Sequence, residues 1–299
     1  MAELARNQTP MPVRQEKEES SSLWKEGWRS FKKNKIALIG MGIVVFFILL
    51  AVFAPLLAPY GINDQNLSLR LQAPSKDHLF GTDDFGRDIL SRVIYGARIS
   101  LWVGFFSVLG SVVIGSLLGI VAGYYGRWVD GIISRVFDIM LAFPSILLAI
   151  GIVAVLGPSL QNALIAIAVI NIPNFGRLIR SRVLSIKQEE YIMAAKAIGM
   201  SDVRILFHHI LPNSMAPIIV QGTLAIATAI IEAAALGFLG LGAQPPNPEW
   251  GTMLASSKEF LTQAPWTMIF PGLAIMLTVL GFNLMGDGLR DALDPRMKS

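Results

Sequence analysis

Few residues in this 299-residue chain could do chemistry, and they are scattered. Of three histidines, two are adjacent at His208 and His209, and there is no cysteine. Neighbouring helical residues point about 100° apart, so His208 and His209 do not chelate one ion together. Structural or surface roles are expected for them and for His78. The missing cysteine excludes disulfides, iron–sulfur clusters and thiol catalysis. Glu232 stands in an apolar stretch, where a carboxylate costs about 2.5–3.5 kcal/mol on insertion scales. It must face a helix bundle or a wet cavity. It is a candidate pathway-lining group able to meet a substrate's ammonium; the alternative is a hydrogen-bonded carboxylate that fixes packing. Asp83, Asp84, Arg87 and Asp88 crowd into GTDDFGRDILSR. The EF-hand spacing, with its glutamate at position 12, is absent, so a turn and cap leading into a helix is expected. Asp138, one turn after Arg135, reads as an i,i+3 pair. No G-x-x-x-x-G-K-[ST], H-E-x-x-H or G-x-S-x-G motif occurs. No catalytic or metal-binding residue is assigned: the chain has no P-loop route to ATP and is not expected to be an enzyme by itself.

These groups have to be positioned by a largely apolar chain. It is 53% hydrophobic and only 15% charged, against about 25% charged in soluble domains. About 20 apolar residues cross a hydrocarbon core of roughly 30 Å, and six such spans are legible: 36–58, 99–123, 132–156, 160–176, 214–238 and 265–286. The first lies behind about 35 polar residues, as a retained signal anchor would. Lysine and arginine set the orientation. With the N-terminus inside, the inner segments hold 19 of them and the outer segments six, which places both termini in the cytoplasm. That asymmetry accounts for the net charge of +4 and leaves nucleic acid little weight as a partner. The chain divides into a cytoplasmic tail (1–35), a transmembrane domain (36–286) and a cytoplasmic C-terminal tail (287–299). Residues 1–22 have the composition of a disordered segment. In LWKEGWRSFKKNK, Trp24, Trp28 and Phe31 share one helical face among five cations. This is the pattern of a helix lying on the membrane lipid, or of a basic flank that only orients the first span.

Gly115, Gly119 and Gly123, four apart, leave one face of the second span bare for a close neighbour. Pro144 and Pro271 fall inside spans, where other helices can satisfy freed carbonyls. No inverted repeat is visible, which counts against an ion-gradient-driven secondary transporter. The longest inner excursion is 177–212. QEEYIMAAKA favours helix, Gly199 can take positive φ and end it, and Ser201 can cap a second short helix, DVRILFHH. Pro212 would then set the entry angle of the fifth span. Ala194 and Ala195 offer a low-relief face, with Tyr191, Ile205 and Phe207 adding apolar contact. A docking element and a merely packed loop both fit this pattern.

The stretch YIMAAKAIGMSDVRILFHHILPN resembles the signature loop of permease subunits of ATP-binding-cassette importers. It matches at Ala194, Ala195, Gly199, Leu211 and Pro212, and departs with Met193 for glutamate and His209 for isoleucine. HLFGTDDFGRDILSRVIYGARISL, AALGFLGLGAQPPNPEWGTML and FNLMGDGLRDALDPR look like the second permease subunit of the dipeptide/oligopeptide (peptide/nickel) importers. The resemblance covers nearly everything from residue 25 onward. It implies an all-α membrane protein with six transmembrane helices and the type I ABC importer permease fold, in a bacterial cytoplasmic (inner) membrane. It also implies an ATPase-coupling loop containing Tyr191, Ala194, Ala195, Gly199, Ser201, Asp202, Leu211 and Pro212. The implied partners are a second permease, two ATPase subunits that use ATP and magnesium, and an extracytoplasmic peptide-binding protein. Asp83, Asp84, Arg87, Pro245, Pro246 and Trp250 become candidate contacts for that binding protein. No cofactor is expected on this chain. Nickel, glutathione or opines stay open as alternative substrates within the same type of importer.

Overall fold

The computed structural model describes residues 23–293, with backbone only for 23–26. The expectations for the polar tail 1–22, for the Trp24 side chain and for residues 294–299 therefore lie outside the described residues. In chain order the helices are α1 (Leu23–Lys33), α2 (Lys35–Val52), α3 (Ala54–Leu57), α4 (Ile89–Tyr125), α5 (Arg127–Ala142) and α6 (Ser145–Leu156). They continue as α7 (Leu160–Ile186), α8 (Glu190–Ala197), α9 (Asp202–Ile205), α10 (Leu211–Phe238), α11 (Trp250–Ser257) and α12 (Trp266–Leu293). Strand pairing among the described residues is limited to a single bridge, Thr82 with Asp88. The chain is thus all-α, and five helical segments are each long and apolar enough to cross a membrane.

The third expected span, 132–156, is not one helix. It breaks at Phe143–Pro144 into α5 and α6, bent by 96°. Pro144 occupies the N-cap of α6 rather than a span interior, because proline lacks an N–H and disfavours helix in the residue before it. Pro271, by contrast, does lie inside α12. The second span starts about ten residues before its apolar run. Asp88 caps α4, its carboxylate accepting from the Ser91 amide at 2.8 Å and from the Ser91 hydroxyl at 2.7 Å. At 37 residues and about 1.5 Å per residue, α4 outruns the hydrocarbon and carries structure beyond it.

The glycine face of α4 does what its spacing predicts. An added Cβ at Gly115, Gly119 or Gly123 would come within 2.7, 2.4 and 2.8 Å of Ile172 O, Gly176 O and Val183 Cβ, all on α7. The seam extends toward the N-terminus of α4 with the same four-residue step. Ser107 donates to Leu164 O at 3.1 Å and Ser111 to Ala168 O at 2.8 Å. Apolar side chains of α4, α6, α7 and α10 build the main core, and α2 packs along α4 and α12. α1 does not merely flank the first span. Phe31 is buried with Ala292 of α12, while Trp28 stays exposed and stacks on Phe31 at 5.8 Å.

Candidate functional site

The 187–212 segment forms the first candidate. α8 is built from good helix formers and ends on Gly199, whose φ of +83° is the left-handed conformation that favours glycine. The bonds from Met200 N to Ala195 O and from Gly199 N to Lys196 O, both 3.0 Å, close a Schellman-type cap. The underside is held by apolar packing. Ile192, Ala195, Ile205, Leu206 and Ile210 are buried against Ile179 and Val183 of α7, together with Tyr124 of α4. The outer side exposes Tyr191, Met193, Ala194, Ile198, Val203 and Phe207; Ile198 is 80% and Val203 62% exposed. Several large apolar side chains are thus left exposed on this short element, the kind of surface on which a docking partner is looked for.

α7 runs on to Ile186, so the first ten residues of the 177–212 stretch continue the helix of the fourth span. Three expectations need correction here. Ala194 and Ala195 do not share the outer face: Ala195 turns inward, as does Ile205. Ser201 sits at the N-cap of α9 but its hydroxyl makes no cap bond; Asp202 instead accepts from the Tyr124 hydroxyl. Pro212 creates no entry angle. α9 passes through a π-helical turn, Leu206–Ile210, directly into α10, with Leu211 and Pro212 in its first turn. Proline has no N–H to give to that ladder, and the wider turn just before it relieves the clash with the preceding turn's carbonyl.

The loops expected on the outer side form the second candidate, and here too burial revises the reading. Asp83 accepts from the amides of Phe85 and Arg87, each at 2.9 Å, and from Arg87 Nε at 2.6 Å. Arg92 Nε lies 3.5 Å from the same carboxylate. Asp83 and Arg87 are buried, so this is the expected turn and cap, and neither side chain is a surface contact. Trp250 is fully buried, donating from Nε1 to Val93 O at 3.0 Å and meeting Phe47 edge-on. Its size and its indole N–H make it a core anchor. Asp84 stays half-buried; burial first, then the Asp83 charge, pushes its carboxyl up from the ordinary value. Pro245 and Pro246 are exposed and remain available.

Glu249 was not foreseen. It is buried, caps α11 through the amides of Gly251 (2.8 Å) and Thr252 (2.9 Å), and reaches Ser100 Oγ at 3.5 Å. Burial pushes its carboxyl up, against the lowering effect of those donors. An acidic residue just ahead of a short helix was the available signal.

Glu232 lies between α7 and α10, 8% exposed, with Asn171 Nδ2 donating to Oε2 at 3.0 Å. In the chain by itself the carboxylate faces α7 and not an open surface, an arrangement that fits the packing alternative. Asp138 does not pair with Arg135 but with Arg177 of α7 at 2.5 Å, both side chains half exposed. His78 bonds Asp88 at 3.0 Å in the loop before α4, far in sequence from the histidines of the π turn. Among the described residues no group of three potential metal ligands comes together.

Residues 115–299 match the family described as binding-protein-dependent transport system inner membrane component. Residues 22–74 match the N-terminal TM domain of oligopeptide transport permease C. The dipeptide transport system permease protein DppC of Alkalihalophilus pseudofirmus is 66% identical over 93% of this chain and 91% of that protein. The di/tripeptide transport system permease protein DppC of Pseudomonas aeruginosa is 50% identical over 92% of this chain and 93% of its own length. The glutathione transport system permease protein GsiD of Pectobacterium atrosepticum is 49% identical over 92% of each. Among solved structures, an inward-facing MetNI methionine ABC transporter matches the fold with a TM-score of 0.55. That match has 20% identity and covers 69% of this chain and 98% of that one. On this sequence match across nearly its whole length, the chain belongs to the binding-protein-dependent transport system inner membrane components, the permease subunits of ABC importers.

Proposed function

We propose that this chain forms, with a second permease, the path by which di- or oligopeptides enter the cytoplasm across the inner membrane. The observation that carries the substrate is the 66% identity to a dipeptide permease, against 49–50% to glutathione permeases. In this reading both termini and the α8–α9 element are cytoplasmic, as the 19-to-six partition of lysine and arginine supports. The exposed apolar face of α8–α9 docks on an ATPase subunit, and two such subunits bind ATP and magnesium. A binding protein delivers peptide at the outer face, where Pro245 and Pro246 are accessible. This chain contributes no ATPase chemistry of its own. Closure of the ATPase pair on ATP biases the permease toward one conformation, and α8–α9 is where that bias enters.

The test is uptake by the purified complex in proteoliposomes, with labelled dipeptide outside and ATP on the ATPase side. Saturable, ATP-dependent accumulation is expected, competed by unlabelled dipeptide better than by glutathione or nickel. Accumulation of glutathione in preference to dipeptide would transfer the chain to the other branch of the family.

A further inference from the structure

The apolar underside of α8–α9 packs on α7 and on Ile120 and Tyr124 of α4, and a set of polar contacts adds a second tie to α4. These converge on one ring. Tyr124, 5% exposed, is the second-to-last residue of α4. Its hydroxyl donates to Asp202, the first residue of α9. Lys196, in the last turn of α8, places Nζ 4.9 Å from the ring centroid. Lys187, just past the end of α7, places Nζ 5.4 Å from the same centroid and donates to the Tyr124 carbonyl at 2.5 Å. The ends of four helices are therefore gathered by a single side chain. A hydroxyl bonded to a carboxylate is among the stronger hydrogen bonds, and the two cations add a weaker attraction to the ring face. Just above this point, Gly119 and Gly123 clamp α4 backbone-close to α7. A displacement of α9 thus has a direct, stiff route into the longest membrane helix.

We propose that Tyr124 is a positioning residue for transport: its bond to Asp202 makes α4 move with the α8–α9 element, so that work received on the cytoplasmic side reaches the transmembrane path. This rests on the reading of α8–α9 as the ATPase-docking element. Tyr124→Phe removes the hydroxyl but keeps the ring and its two lysines, and Asp202, being exposed, is then hydrated rather than stranded. Assembly and ATP hydrolysis by the complex are expected to persist, while peptide moved per ATP hydrolysed falls by at least about fivefold. Asp202→Asn is expected to lower that ratio too, and the double variant to do little more than either single one, since both changes cut one bond. A merely structural tyrosine would lower the amount of complex and leave the ratio alone.

A second readout does not depend on the substrate. The chain has no cysteine, so with the partner subunits' cysteines replaced, spin labels at Arg98→Cys on α4 and Arg204→Cys on α9 report one distance. With Tyr124 in place that distance is expected to stay fixed when ATP is added to the complex. With Tyr124→Phe it is expected to shift or broaden. An unchanged ATP-independent distance in the phenylalanine variant, or additive losses in the double variant, would overturn the proposal. If wild type fails to import dipeptide but the label distance loosens only in the variant, the substrate assignment falls and the role of Tyr124 stands.

Discussion

At the residue scale, Gly199 is the position where side-chain identity matters most for the least visible reason. No atom lies within 4 Å of the place a Cβ would occupy, so there is space for any residue. The constraint is the φ of +83°, which a β-branched side chain strongly disfavours. Gly199→Val is expected to pull the α8 cap out of shape, and with it the outward face carrying Ile198. Transport should then be lost while membrane insertion and the amount of chain remain near wild type. Normal uptake by that variant would remove α8–α9 from the mechanism. The same scale shows how far residue type alone can be read. A lone glycine after an alanine-rich helix was legible because its meaning is local. Trp250 was not, since an exposed and a buried tryptophan look alike until Val93 and Phe47 are placed beside it.

At the element scale, the α4–α7 seam was half legible. Three glycines at a four-residue step announce close approach, and the structure supplies the partner backbone. Ser107 and Ser111 continue the same stripe, but serine in an apolar helix carries no sign of whether it bonds its own turn or a neighbour; here Ser111 does both. Gly119→Ile would drive a branched side chain into the Gly176 carbonyl, 2.4 Å from the Cβ position. Overpacking of this kind costs about 1–3 kcal/mol or more. A clear drop in the melting temperature of the purified chain is expected. Gly42→Ala, where nothing lies within 4 Å, should melt like wild type. Equal melting of the two variants would mean that the helices can separate at little cost. The break between α5 and α6 is the opposite case. The apolar run across 132–156 reads as one span, and only Pro144 hints that it is two segments.

On the scale of the whole molecule, the exposed apolar patch of α8–α9 lies at one end of the bundle, tied to α4 through Tyr124 and to α7 through Ile192 and Ile205. Ile198, the most exposed of these residues, is the place for a photo-crosslinking residue; Met200 is only partly exposed and packs against the buried cluster. In complexes purified from native membranes, crosslinking at Ile198 is expected to capture a P-loop ATPase. The same residue placed at Pro245 should instead capture a soluble extracytoplasmic protein. Capture of the ATPase from Pro245 would invert the topology and contradict the lysine and arginine count.

The amino-acid sequence by itself determined that this is a multi-span helical membrane protein, which faces of its helices approach closely, and where α8 must stop. Each of those follows from local composition, a short period or one backbone angle, and needs no knowledge of distant residues. Only the tertiary structure decided which polar groups serve as contacts and which as internal ties. Asp83, Arg87 and Glu249 are consumed by caps and turns, Glu232 by Asn171 across two helices, and Asp202 by a tyrosine 78 positions earlier. A charged side chain has the same letter whether its partner is water, a neighbour or another protein. Burial and distance, which arise only when remote segments meet, are what tell these apart.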